Sequence, residues 1–475
     1  MAARWMKWML PNLAMLVSIA AIAYCAGFFQ APSRFFSDAD PGWHIRTGDW
    51  IRAHHAVPRD DLFSFEQTGQ PWFAWEWLAD VLMSTTHSFL GLTGIVWMYT
   101  LVLGAATWTW FRLQWETGGN FLIACLMVSP LLASTQIHWL ARPHMLTFVL
   151  FPLLLLCLES MPAKFEPKHA ALAVAGGALW ANLHGSFPLA IAIAACYGRK
   201  YFALAACMLA GTFLNPYGWH LHWHVIDYLI LHPELHANVT EWQKFDFATN
   251  YSRIQVGLMF AFAAMGAVAA AFEHRLRHTM IIALVLAAAW SAQRGVPVAA
   301  LVALPLANGA ITTFLRSRKR LRNFIQIGDE FREIDNGFNG AALAPIAAIL
   351  MLVWLRSPAV AARTGFLEPN YPVSAAAAIP PAARVFASPE DAGYLIYLDP
   401  SRRITWVDSR TDYFGAGRYR TYLQILNAAP GWQDAFDRLR FSHVLIRRDS
   451  GLARALPARG WRAAYSDETY ILLAP

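Results

Sequence analysis

Residues 8–44 read WMLPNLAMLVSIAAIAYCAGFFQAPSRFFSDADPGWH: an uncharged apolar run over 8–29, a short polar break, then Asp38 and Asp40 ahead of Pro41. A helix over such a run is long enough to cross the roughly 30 Å apolar layer of a bilayer. Arg4 and Lys7 precede it, in the manner of a signal peptide. No small-residue cleavage site stands before Gln30, and many apolar runs follow, so the reading is a retained first helix.

Working outward, further apolar runs cover about 92–113, 120–137, 144–160, 168–183, 186–198, 201–214, 254–272, 279–293, 296–314 and 341–355. The sequence therefore predicts an α-helical polytopic membrane protein of about eleven spans. Composition agrees. Of 475 residues, 57% are hydrophobic and 15% charged, against roughly 25% charged in a soluble domain. A mean hydropathy of +0.34 is low for a pure bundle and implies a soluble portion. The formal charge of +7 reads as basic loops on the cytoplasmic side, not as a nucleic-acid partner. The five cysteines, Cys25, Cys125, Cys157, Cys196 and Cys207, lie in apolar runs and predict no disulfide framework.

With the N-terminus inside, Arg112, Lys164, Lys168, Arg199, Lys200, Arg275, Arg277 and the basic run 316–322 all face the cytoplasm, as the positive-inside rule asks. An odd number of spans then exports the C-terminus. The organisation expected is a transmembrane domain over 1–356 with a first exported loop over 30–91, an Ala/Pro-rich linker over 357–383, and an exported α/β domain over 384–475. In that last domain, Tyr394–Leu398, Ile404–Asp408, Val444–Arg447 and Tyr470–Leu473 read as strands, and 416–427 and 430–440 as helices. In the first loop, Asp49–His54 and Trp75–Phe89 read as Trp-rich helices lying in the membrane interface. No internal repeat is evident.

This topology places the unusual polar residues on one side. Asp38, Asp40 and His44 follow the first span; His138, Arg142 and His144 sit in the turn between the third and fourth. Asn182 and His184 end the fifth, Asn215, His220 and Glu241 follow the seventh, and Arg294 follows the ninth. Ionisable groups at membrane depth are costly, so a set converging on one face marks a functional site. Taken singly, each has a structural reading as a turn, helix start, interfacial anchor or packing pair.

The stretch Asp38-Ala39-Asp40-Pro41-Gly42-Trp43-His44-Ile45-Arg46-Thr47-Gly48-Asp49-Trp50-Ile51 resembles the first-loop signature of bacterial membrane proteins related to the GT-C glycosyltransferases. Val57-Pro58-Arg59-Asp60-Asp61, Glu76-Trp77-Leu78, Ala141-Arg142-Pro143-His144, Trp180-Ala181-Asn182-Leu183-His184-Gly185, Leu214-Asn215-Pro216-Tyr217-Gly218 and Glu241-Trp242 are similar as well. So are Gly393-Tyr394-Leu395 and Val407-Asp408-Ser409-Arg410-Thr411-Asp412-Tyr413, so the resemblance runs through nearly the whole chain. Two positions depart from the pattern: Gly42 replaces an aromatic beside Trp43, and Ser409 replaces a glycine.

The resemblance implies a GT-C-like bundle in a bacterial inner membrane, with its active site on the periplasmic face. It implies transfer of a sugar from a polyprenyl-phosphate donor to a glycan, lipid or protein acceptor. In that group the acidic residue of the first loop is catalytic, which maps here onto Asp38 or Asp40 as the base for the acceptor hydroxyl. Arg142 and Arg294 are the candidates for the donor phosphate, because a guanidinium binds phosphate oxygens in bidentate fashion, with His144 and His184 as further donors. His44, Asn182 and Glu241 support the site. No cofactor is required; a divalent metal on the Asp pair and a nearby His is the alternative. Two other functions compete: a membrane transporter, which more often has charges mid-span and repeat symmetry, and a non-catalytic scaffold of a glycan-assembly complex.

Overall fold

A computed structural model describes residues 6–27, 31–162, 165–235 and 239–475. Arg4, Gln30 and Lys164, used above for topology, lie outside these residues. The chain is mostly helical and ends in a small sheet. In order, the helices that matter here are α1 (Leu13–Gly27), α2 (Asp40–His54), α3 (Trp77–Glu116), α4 (Phe121–Gln136), α5 (Thr147–Glu159), α6 (Pro167–Leu183), α7 (Phe187–Cys196), α8 (Arg199–Thr212), α9 (Trp219–Ile226), α10 (Arg253–Phe272), α11 (Leu276–Ser291), α12 (Val296–Arg316), α13 (Arg322–Asn336), α14 (Leu343–Leu355), α15 (Pro389–Leu398), α16 (Thr411–Leu426) and α17 (Trp432–Leu439).

Every apolar run read from the sequence is helical. Four stretches among the described residues are long and apolar enough to cross a membrane: Met6–Gly27, Trp77–Glu116, Arg253–Phe272 and Gln293–Arg316. The others are shorter because breakers interrupt them. Gly198, at φ +97°, ends the turn between α7 and α8, a backbone conformation that L-residues with a side chain resist. Pro143 and Pro188 sit in the first turns of their helices, where a missing N–H costs nothing. The most enclosed helix is α12, with Ala299 through Ala307 buried throughout. The outward faces carry exposed Leu126, Leu172, Ile254, Phe272 and Leu350.

The first loop differs from its expected form. Instead of an interfacial helix over 49–54, α2 starts at Asp40 and is buried along most of its length, from Asp40 to Ile45 and again at Thr47, Gly48 and Ile51. Glycine makes this possible. A Cβ at Gly48 stands 2.0 Å from the Asp80 carbonyl oxygen on α3, and one at Gly42 stands 2.2 Å from the Gly393 carbonyl oxygen on α15. The departure at Gly42 thus has a steric cause: no side chain fits between α2 and α15. The second expected loop helix, 75–89, is the first part of α3, which continues into the next apolar run through a kink at Gly91 (φ +63°).

The C-terminal sheet comprises β1 (Val385–Phe386), β2 (His443–Arg447), β3 (Arg462–Ser466) and β4 (Tyr470–Ala474), in the order β1-β2-β4-β3. β1 and β2 run parallel and the remaining pairs antiparallel, with Val444 opposite Leu473. Two expected strands are not strands. Tyr394–Leu398 lies in α15, because Ser388 caps that helix: its Oγ accepts the Asp391 N–H at 3.0 Å and donates to the Asp391 carboxylate at 2.8 Å. The cap outweighs the β propensity of Tyr, Leu and Ile. Ile404–Asp408 is extended but forms only isolated bridges, Thr405 with Val385 and with Ser64. The first loop takes up its outer edge. Residues 357–383 contribute buried Phe366, Tyr371, Ala375 and Ala376 to the main core, and Tyr371 donates to the Phe36 carbonyl at 2.7 Å.

Gly42→Ala is expected to push α2 off α15 and cost about 1–3 kcal/mol through overpacking, seen as a lower thermal midpoint of the purified chain. Gly257→Ala, with open space at its Cβ, is expected to leave the midpoint unchanged or raise it.

Candidate functional site

Five inter-helix connections meet at one end of the bundle. They carry Asp38 (α1 to α2), Arg142 (α4 to α5), His184 (α6 to α7), Glu241 (α9 to α10) and Arg294 (α11 to α12). Local chemistry sets each. Asp38 Oδ1 accepts the Asp40 N–H at 3.2 Å, an Asx turn that starts α2. Pro143 fixes the turn after Arg142. The Glu241 backbone belongs to a short 3₁₀ turn, and the Gln293 N–H bonds the Gln243 carbonyl at 2.8 Å, tying that turn to the one before α12.

These connections surround a cavity of about 860 Å³. The Arg142 guanidinium stands among three carboxylates: Nη1 donates to Asp38 Oδ2 at 3.3 Å and to Glu241 Oε2 at 3.2 Å, and Nη2 lies 2.5 Å from Asp40 Oδ2. Arg294 lies 3.7 Å from Glu241 Oε1 and stacks over the Trp242 ring at 4.2 Å. The Ser409 hydroxyl donates to Asp40 Oδ1 and accepts from Trp43 Nε1 at 3.2 Å. Both oxygens of Asp40 are therefore engaged, and its side chain is 5% exposed. Asp38 is 25% exposed. The lining also includes the apolar side chains of Leu189, Val285, Pro297 and Val298.

Burial dominates the electrostatics. It pushes the Asp38 carboxyl up to about 7; Arg142 opposes the shift, and Asp40 and Glu241 reinforce it. It pushes Glu76 up to about 8 against the pull of Arg142 and Arg294. At Glu241 burial acts the same way, but Arg142 and Arg294 overcome it and hold that carboxyl well below the usual range. Burial, with the same two arginines, also keeps His184 down at about 3, a neutral ring. The site thus holds two acids whose proton affinity lies near neutrality and one permanently ionised partner for the arginines.

His138 lines this cavity and Asn215 and His220 do not; of the nine residues given a role from the sequence, eight line it: Asp38, Asp40, His44, Arg142, His144, His184, Glu241 and Arg294. Asn182 does not. Its Oδ1 accepts the Trp77 indole N–H at 2.6 Å and its amide donates to the Ala178 and Leu214 carbonyls, so it braces three elements behind the wall. Neither histidine expected as a phosphate donor is a free cation. His144 Nε2 donates to the His138 carbonyl at 2.9 Å. His184 Nδ1 accepts the Ser186 N–H at 3.1 Å, which leaves its Nε2–H aimed at Glu76, 3.5 Å away. His44 is buried against Asp80 at 2.6 Å. Sequence reasoning missed Glu76, although a lone acid inside Trp72-Phe73-Ala74-Trp75-Glu76-Trp77 is a signal of its own. Ser409, named there only as a departure from the pattern, belongs to the site as well: its hydroxyl fixes Asp40.

A divalent metal does not fit this donor set. The carboxylates of Asp38, Asp40 and Glu241 converge on Arg142, whose cationic head fills the position a metal ion needs. A second buried ion-pair cluster centres on Arg410. Arg410 binds Asp408 through Nε and Nη2 at 2.8 and 2.7 Å, and its Nη2 also binds Asp61 of the first loop at 2.7 Å. Its guanidinium lies among Phe63, Trp72, Tyr413 and Phe414, 4.5–5.5 Å from the ring centres. This clamp joins the C-terminal domain to the first loop beside the cavity.

Comparison with protein-family models finds no match for this chain, and comparison with curated proteins finds none either. The described geometry defines a mostly helical protein with several membrane-length helices and one acid–guanidinium cavity roofed by a small sheet domain.

Replacing Arg410 strands two buried carboxylates. Arg410→Leu is expected to cost about 3–5 kcal/mol, measured by chemical denaturation, with proteolysis appearing first in 384–475.

Proposed function

We propose that this chain is an integral-membrane glycosyltransferase of GT-C type, moving a sugar from a polyprenyl-phosphate donor to an acceptor hydroxyl. The observation that carries the reading is a single cavity lined both by a carboxylate–guanidinium cluster and by apolar side chains. A lipid-linked phosphate needs both: cations for its head and an apolar surface for its tail. The exposed aliphatic faces of the bundle suit contact with lipid. On this reading the eleven apolar helices make up the membrane part of a bacterial inner-membrane protein. The N-terminus is cytoplasmic, and the cavity end and C-terminal domain are periplasmic.

Asp38 is the base. It is the accessible acid of the pair, and its raised proton affinity matches the task, since a general base works best with a pKa near the operating pH. Asp40, held by Arg142 and Ser409, positions. In the reaction the acceptor oxygen attacks the anomeric carbon and the bond from that carbon to the phosphate oxygen breaks. The hydroxyl proton passes to Asp38, and the polyprenyl phosphate leaves as an anion. Arg294, with one long ion pair and an open side, takes the phosphate. Arg142, already surrounded by three carboxylates, orients Asp38 and adds positive charge.

Asp38→Asn is expected to lower kcat by about 10²–10⁴-fold in an assay of transfer from a lipid-linked sugar. Full activity of that variant sinks the base assignment. The sign of the pH dependence follows from the raised carboxyl: below about 7 Asp38 is protonated and cannot accept a proton, so the rate falls about tenfold per unit on the acid side. In Asp40→Asn the acid limb remains but moves to lower pH, because a negative neighbour that raises the Asp38 affinity is gone. A purely structural role for Asp40 leaves the limb where it is.

A further inference from the structure

A second cavity, of about 530 Å³, lies between the first loop and the C-terminal domain. Its walls come from Glu66, Gln67, Gln70 and Phe73 on one side and from Asp412, Tyr413 and Arg418 on the other. Asp412 lines both this cavity and the larger one, so the two share a wall. The mechanism above makes no use of it.

The lining is unusual in kind. Gln67 and Gln70 offer primary amides whose side-chain atoms have no partner among the described residues, and each amide carries two donors and an acceptor. Arg418 uses Nη1 for Glu66 at 2.9 Å and for the Trp406 carbonyl at 3.2 Å, which leaves Nη2 and Nε unpaired among the described residues. Asp412 binds His224 through Oδ2 alone, at 3.2 Å. Between these polar groups lie half-buried rings. Phe73 is stacked on His224 with centres 4.8 Å apart, and Tyr413 is anchored by its hydroxyl to the Gln67 carbonyl at 3.3 Å. Planar amide, carboxylate and guanidinium forks alternating with aromatic faces match a pyranose chain, whose rim of hydroxyls both donates and accepts and whose C–H faces pack on rings. A lipid acceptor requires a mainly apolar lining, and a peptide added as a β-strand requires an exposed strand edge; the residues lining this cavity offer neither. Glu66 and Asp412 outweigh Arg418 in charge, which disfavours an acidic polymer.

We infer that this cavity is an acceptor site for a neutral or amino-sugar glycan, which enters from the soluble side and binds next to the larger cavity at the shared Asp412 wall. The inference rests on the transferase reading for its direction and on the second cavity for its substance. It is tested with the full chain in nanodiscs and two probe sets measured separately. One is a series of manno-, malto- and chito-oligosaccharides of two to eight sugars, read by saturation-transfer NMR. The other is a polyprenyl-phosphate-linked sugar, read by native mass spectrometry. At least one oligosaccharide series is expected to bind, more tightly with length, and the surface double variant Gln67→Ala/Gln70→Ala is expected to weaken it at least tenfold. Absence of binding in all three series, or binding indifferent to the double variant, overturns the inference. So does competition for these residues by an extended peptide or an acceptor lipid. The two readings fail separately. If the oligosaccharide binds as stated while the lipid-linked sugar does not bind at all, the transferase reading falls and the glycan site stands. If the donor binds and its sugar passes to a peptide or lipid with no oligosaccharide bound, the reverse holds.

Discussion

One guanidinium holds the working end of this molecule together. Arg142 reaches Asp38, Asp40 and Glu241 at once; the two aspartates flank the start of α2, Glu241 comes from the connection before α10, and Arg142 itself comes from a third connection, before α5. Without that positive centre, three carboxylates within a few ångströms of one another repel in a poorly solvated place. With it, α2, the turn before α5 and the turn before α10 become one unit. The difference between the two aspartates follows from the same geometry. Asp40 takes the short, closed contact and loses its accessibility. Asp38 takes the longer one and keeps an open face to the cavity.

The surrounding fold brings that arrangement into one partly buried cavity. A polar helix, α2, is buried because Gly42 and Gly48 let it touch α15 and α3 backbone to backbone. The Asp61–Arg410–Asp408 clamp then seats the sheet domain over the first loop and delivers Ser409 to Asp40. Packing, ion pairing and the acid–base character of the cavity are thus linked through α2. Its N-terminus carries the acid, its glycines set the contacts, and His44 in its first turns faces the buried Asp80.

Much of this was legible from residues alone. The apolar runs locate the helices, and alternation of inside and outside ends brings Asp38, Arg142, His184, Glu241 and Arg294 to one face. What the sequence concealed had local causes. The Ser388 cap turned an apparent strand at Tyr394–Leu398 into a helix, because a side-chain-to-backbone bond competes with propensity. The burial of α2 was hidden because polar composition suggests exposure, and only the glycine contacts reveal otherwise. The Arg410–Asp61 pair is hidden because sequence distance says nothing about a partner nearly 350 positions away. Glu76 escaped because its role depends on a histidine from another helix end.

The central claim is that the Arg142 cluster and Arg294 form one site for a lipid-linked phosphate. The most direct test is an experimental structure of the full chain in a lipid nanodisc with a polyprenyl phosphate added. The account predicts phosphate density within hydrogen-bond distance of Arg294, facing Arg142 and Asp38, with the prenyl chain leaving along Leu189, Val285 and Val298. Phosphate bound elsewhere on the chain, or a cavity in which Asp38, Arg142 and Glu241 no longer meet, contradicts it.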